Sequence, residues 1–168
     1  TMGVNGFVTT NTHDFSNAFS AGNDLTEDLF NSMMQSAWSE GGKVDTVLAP
    51  PDQKRIISST FNNADRHTIN REAASKKAVV VVDVYESDFG LVTVYASRYI
   101  DPEVDSSTNY DSLYFLEMGK WELCYLKAPK MEKLARTGLS EKVLISTEYG
   151  LKCRAEEANA AIHHLSRV

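Results

Sequence analysis

Asp83, Glu86 and Asp88 stand within six residues of one another in the stretch VVVVDVYESDFGLVTVY, residues 79–95. Carboxylate oxygens in such a group are the donors a divalent cation takes, and a pair of them could share acid and base roles. Whether the three meet depends on the elements that carry them. The β-branched and aromatic residues on either side predict two strands, over 78–86 and 91–99, with a turn at 87–90 in which Gly90 is free to adopt a positive φ. Side chains alternate along a strand. Asp83 then shares a face with Tyr85, Glu86 lies on the opposite face with Val82 and Val84, and Asp88 sits in the turn. The carboxylates do not converge without help from other segments.

Other reactive side chains fare no better. His67 lies in a polar stretch, 62–77, with no partner at ligand spacing. His163 and His164 are adjacent in AEEANAAIHHLSRV, which reads as a closing helix over 155–168. Neighbours on a helix point in different directions, whereas two ligands for one ion favour a spacing of four. The acidic segment DPEVDSSTNYD, 101–111, has the charge of a calcium loop but lacks its alternating oxygens, central glycine and distal glutamate, and reads as a solvated loop. Cys124 and Cys153 form no Cys-x-x-Cys pair and read as reduced, buried thiols in strands. Lys120, Lys127, Lys130, Lys133 and Arg136 interleave with Trp121 and Tyr125, the mix of bases and aromatics that a single-strand binding surface uses. Glu122 and Glu132 dilute the patch, so strand alternation with lysines reaching into solvent is the better reading. P-loop, dinucleotide-binding, nucleophile-elbow and His-Glu-x-x-His motifs are missing. No catalytic, cofactor-binding or metal-ligating residue is assigned.

The elements around these residues are clearer. LTEDLFNSMMQSAWSEGG, 25–42, predicts a helix: Asp24 or Thr26 can cap it, Glu27 and Asp28 suit its first turn, and Gly41 and Gly42 end it. Leu29, Phe30, Met33, Met34, Ala37 and Trp38 form its apolar stripe. A strand follows over 43–49, then a helix from Pro51 over 51–61. SLYFLE (112–117) and WELCYLKA (121–128) predict strands, KMEKLART (130–137) a turn or short helix, and EKVLISTEYGLKCR (141–154) a long strand interrupted near Gly150. Helices and strands mix without regular βαβ alternation, which makes the fold class α+β. The 168 residues carry a formal charge of −6, from 17 basic and 23 acidic side chains, which disfavours general nucleic-acid binding. The longest apolar run, AVVVV at 78–82, is far too short to span a membrane.

Taken in order, VDTVLAPPDQKRIISSTF, VVDVYESDFGLVTVYASRYI and WELCYLKAPKMEKLARTGLSEKVLISTEYGLKCRAEEANAAI, preceded by the helix at 25–42, resemble tailed-phage major capsid proteins with the Hong Kong 97 capsid fold. The chain departs from that family at Glu117 and Met118, after Leu116, where Leu-Asp-Pro is typical, and at Leu139, where Thr-Gly-Asp is common. The resemblance implies a peripheral domain with a long spine helix and an axial domain with a mixed β-sheet. Residues 25–43 and 140–168 would form the peripheral part, 44–139 the axial part, and 1–24 a polar lead-in. It implies a virion subunit, assembled in the host bacterial cytoplasm, that joins copies of itself into pentamers and hexamers around double-stranded DNA. Scaffolding, portal and decoration proteins are further partners it suggests; membrane and specific nucleic-acid motifs are not among them. Because the family's N-terminal arm and extended loop would lie upstream, and Thr1 precedes Met2, the chain reads as a subunit body that assembles weakly by itself. Alternatives are an encapsulin-like nanocompartment shell protein or a metal-dependent enzyme built on the three carboxylates.

Overall fold

The computed structural model describes residues 3–15, 23–60, 84–100, 103–105, 108–135 and 138–166. The polar stretch at 62–77, with His67, and the first part of the opening strand, with Asp83, lie outside them.

The helix expected from residue 25 is α2, Glu27–Ser39; it follows a single helical turn, α1, Val4–Phe7. Thr26 is the cap: its hydroxyl accepts from the Leu29 amide at 3.2 Å. Asp24 instead accepts from the Ser166 hydroxyl. At the other end Gly41 takes φ +83°. Its amide donates to the Trp38 carbonyl at 3.0 Å, and that of Gly42 donates to the Ala37 carbonyl at 2.9 Å. These two bonds satisfy carbonyls that the helix terminus would leave open. Phe30, Met33, Met34 and Ala37 are buried, whereas Trp38 is exposed.

A seven-stranded mixed sheet receives that face. Its strands are β1, Thr12–Asp14; β2, Thr46–Ala49; β3, Val84–Ser87; β4, Gly90–Ala96; β5, Glu103–Asp105; β6, Thr108–Leu116; and, last in sequence, β9, Ala160–Leu165. Their order is β1-β9-β6-β2-β4-β3, with β5 paired to β6. β1 runs parallel to β9 and β2 parallel to β4; the other pairs are antiparallel. Alternation places Val47 and Ala49, Val92 and Val94, and Leu113 and Phe115 in the core. Phe30 meets Phe115 and Tyr85 edge to face, with ring centroids 4.8 and 5.2 Å apart. The second helix, α3, Pro51–Thr60, adds Ile57 to the same core.

The closing segment is not the expected helix. Residues 160–165 form β9, between β1 and β6, and Ala160, Ala161, Ile162 and Leu165 are fully buried. Alanine favours helix weakly, and the pairing and burial available on both sides of this strand override that preference. The acidic segment likewise is not simply a loop: Glu103–Asp105 pairs antiparallel with Thr108–Tyr110.

The remaining strands, β7, Trp121–Lys133, and β8, Val143–Cys153, form a separate two-stranded sheet about 40 Å long. β7 continues through KMEK instead of turning there. Two extra residues on β7 interrupt the ladder, one between the Tyr125–Tyr149 and Lys127–Glu148 pairs and one before the Lys130–Ser146 pair. The irregularity thus lies on β7, beside Pro129, which has no amide to give a ladder. Gly150, where a break was expected, pairs regularly with Cys124.

Packing links segments that the resemblance assigned to different parts. Phe30 and Ile162 share one core with Val47, Val92 and Phe115, and β8 pairs along its length with β7.

Candidate functional site

Asp83 lies outside the described residues, and the other two carboxylates of the group, Glu86 and Asp88, are exposed on separate parts of the hairpin. Tyr85 is buried under α2, and Glu86, the next residue, is exposed on the opposite face of β3. Asp88 is exposed in the two-residue turn, where the Ser87 hydroxyl accepts from the Phe89 amide at 3.2 Å and donates to the Gly90 carbonyl at 3.1 Å. Among the described residues no three His, Cys, Asp or Glu side chains are grouped to hold a metal ion.

His163 and His164 lie on β9 at a bulge, where Asp111 faces Leu165 and Leu113 faces Ile162. The extra residue puts His164 at φ +61°. The two rings diverge: His163 Nδ1 is 3.1 Å from the Ser112 hydroxyl, and His164 Nδ1 contacts the Asp14 carboxylate on β1. Cys124 and Cys153 are free thiols on strands, as expected, but neither is fully buried: Cys153 is half-buried, and Cys124 is exposed because nothing described covers the β7–β8 sheet there. Burial pushes the Cys153 thiol up, away from the reactive thiolate form.

In the basic segment Tyr125 is exposed beside Tyr149, and two of the lysines are paired with acids. Lys120 pairs with Glu117 at 3.7 Å and Lys130 with Glu132 at 3.2 Å. Trp121 is engaged inside the molecule, its ring edge-on to Phe7 with centroids 5.8 Å apart. Arg136 lies outside the described residues.

What the structure assembles instead is a junction between the hairpin and the main sheet. Asn159 is fully buried. Its Oδ1 accepts from the Glu117 amide at 3.0 Å and from Trp121 Nε1 at 2.9 Å, and its Nδ2 donates to the Ala155 carbonyl at 2.8 Å. Three residues earlier, Glu156 accepts from the amides of Thr9 and Thr10 at 2.7 and 2.5 Å, and from both their hydroxyls. Burial pulls the Glu156 carboxyl up, but these hydrogen bonds outweigh it and hold the group below the ordinary glutamate range. Arg154 closes the hairpin base with two bonds to Glu122 Oε2, from Nε at 3.2 Å and a terminal nitrogen at 2.8 Å. The hydrogen bond from Arg154 and its charge lower the Glu122 carboxyl in turn. Sequence reasoning missed Asn159 and Glu156. The one signal available was a lone asparagine in an alanine-rich run.

Beyond the junction the hairpin has two unlike faces. Paired residues share a face. Leu123 with Leu151, Tyr125 with Tyr149 and Met131 with Ile145 fall on one side; Glu122 with Lys152, Cys124 with Gly150 and Lys127 with Glu148 fall on the other. The two extra residues on β7 offset one another, so Met131 returns to the face of Tyr125. That apolar face is open: Tyr125 is 53%, Ile145 66% and Met131 67% exposed. An isolated two-stranded sheet is marginal in water, and an exposed apolar patch of this kind is typical of an interaction surface.

An α+β body bearing a long hairpin whose apolar face no described segment covers is the build of a protein that works in assemblies. The comparisons with known proteins agree. The family model of the SU10 major capsid protein matches residues 1–166, and the chain belongs to that family. It is 23% identical over 136 residues to the major capsid protein of Escherichia phage Phieco32, a match covering 80% of this chain and 36% of that relative. The chain therefore spans about a third of the length of the curated relative it matches. Among solved structures it is similar to the encapsulin of the holo-SrpI complex from Synechococcus elongatus, with a TM-score of 0.54 and 10% identity over 98% of this chain and 56% of that one. At that identity the likeness is one of fold, and it bears out the Hong Kong 97-type architecture.

Proposed function

We propose that the chain is the body of a shell subunit of a tailed-phage head, joining copies of itself into pentamers and hexamers that enclose double-stranded DNA, with no enzymatic role. The observation that carries this reading is the open apolar face of β7–β8, fixed to the main sheet through Asn159. A surface that remains uncovered in one subunit is completed in a symmetric array. Membership of a major capsid protein family supports the phage reading, whereas the encapsulin likeness speaks to fold alone.

Further parts of the reading follow from it. The subunit is a virion component assembled in the host cytoplasm, with scaffolding, portal and decoration proteins as additional partners. For the sectioning into peripheral residues 25–43 and 140–168 and axial residues 44–139 we propose a different grouping, supported by the core that Phe30 and Ile162 share with Val47. We place α2, α3 and the seven-stranded sheet in one lobe and β7–β8 in the other. Electron microscopy of the expressed gene product tests the function: closed icosahedral shells are expected, and a product that stays monomeric at every concentration overturns it.

A further inference from the structure

Charge is distributed unevenly along this chain. Residues 121–154 hold seven basic and four acidic side chains, while the rest of the chain holds ten and nineteen. The hairpin is therefore a basic projection on an acidic body. Exposed lysines lie on both of its faces: Lys127 and Lys130, across from Glu148 and Ser146, on the polar face, and Lys133, across from Val143, on the apolar one.

At the far end of the main sheet the signs reverse. β3 is the edge strand, and no described strand pairs with its outer side. Glu86 and Asp88 are exposed there, and Glu40 is exposed at the end of α2. Apolar groups lie among these acids: Leu91 is exposed, and Trp38 is 57% exposed, tilted on Phe89 with ring centroids 5.9 Å apart. This corner offers what the hairpin lacks, an excess of negative charge, together with apolar surface and an open backbone edge.

We infer that the β7–β8 hairpin of one copy docks on the acidic β3–β4 corner of a second copy. Face-to-face pairing of two hairpins would bring together two segments of like net charge, which is unfavourable. Docking between two different surfaces is heterologous, so it propagates from copy to copy and closes into a ring when the rotation allows. The inference rests on the shell reading only in taking copies of the chain as the partners.

Sedimentation velocity of the 168-residue chain over a concentration series, in low and high salt, tests it. Concentration-dependent association that weakens with salt is expected. K127E/K130E/K133E weakens association at least tenfold, and so does E86K/D88K. Combining all five substitutions in one chain restores association, because the signs on both surfaces are exchanged together. The restoration shows that the separate variants lost attraction and not their fold, and circular dichroism of each provides an independent check. A parent chain that is monomeric throughout overturns the inference, as does unchanged association of the lysine variant. A combined variant that stays monomeric, while the parent but not the lysine variant binds a DNA duplex, overturns it in favour of a nucleic-acid role. Salt-sensitive, swap-restored association without closed particles supports this contact while counting against the shell reading.

Discussion

Trp121 donates its indole N–H to Asn159 Oδ1 at 2.9 Å, and this bond joins the first residue of the hairpin to the turn before the strand that runs beside β6 in the main sheet. The same oxygen serves the Glu117 amide. One buried side chain thus orients the hairpin relative to the body. Asn159→Ala leaves two donors without an acceptor and is expected to destabilise the chain by about 3 kcal/mol. Urea unfolding followed by tryptophan fluorescence measures this, and a loss below about 1 kcal/mol would show that the junction relaxes around the gap.

Phe30 is fully buried, edge-on to both Phe115 and Tyr85. Phe30→Ala removes the ring that connects α2 to strands on two sides of the sheet. The expected loss is about 3–5 kcal/mol, read as a lower urea midpoint, with Phe30→Leu retaining most of the stability.

Two adjacent glycines serve different purposes and should respond differently. Gly41 has φ +83° with open space around it, so Gly41→Ala meets only backbone strain, about 1–2 kcal/mol. A Cβ on Gly42 would lie 2.6 Å from the Ala158 Cα, and the obstructing atom is backbone. Gly42→Ala forces α2 away from the turn before β9 and is expected to cost more, upwards of about 3 kcal/mol. Thermal melts of the two variants side by side give the ranking.

Glu156 gives the chain an acid-sensitive clasp. Its folded-state carboxyl is held below the ordinary range by Thr9 and Thr10, so the unfolded state binds the proton more readily. The contribution is complete above the ordinary glutamate pKa and is lost as pH falls from there through the lowered folded value. Glu156→Gln removes that dependence. Its stability should lie below the parent's at neutral pH and converge on it in acid. Denaturation midpoints at a series of pH values test this, and parallel curves would exclude Glu156 as the source.

Much of the body is legible in the sequence, for physical reasons visible in particular residues. The stripe from Phe30 to Ala37, the cap at Thr26 and the paired glycines all act locally, and α2 follows from them. The hairpin β3–β4 is equally local. The strand at Ala160–Leu165 is not, because its conformation is decided by β1 and β6, which lie far away in sequence. The strand expected to end at residue 128 runs on through Pro129, because the ladder absorbs that residue at an irregularity whose existence depends on the partner strand. Glu156 and Asn159 are ordinary polar residues until the fold brings Thr9 and Trp121 to them. The expected alternation is kept in the described part of β3, where Tyr85 is buried and Glu86 exposed; Asp83 lies outside it.

The parallel pairing of β1 with β9, Thr12 to Ala161 through Asp14 to His163, has a mechanical consequence. A force that draws the residues before β1 and those after β9 apart acts along both strands in opposite senses. It shears their hydrogen bonds together, where an antiparallel pair at the same place would unzip one bond at a time. The Glu156 clasp on Thr9 and Thr10 lies in the same load path, so tension between these two segments strains the seam as a unit.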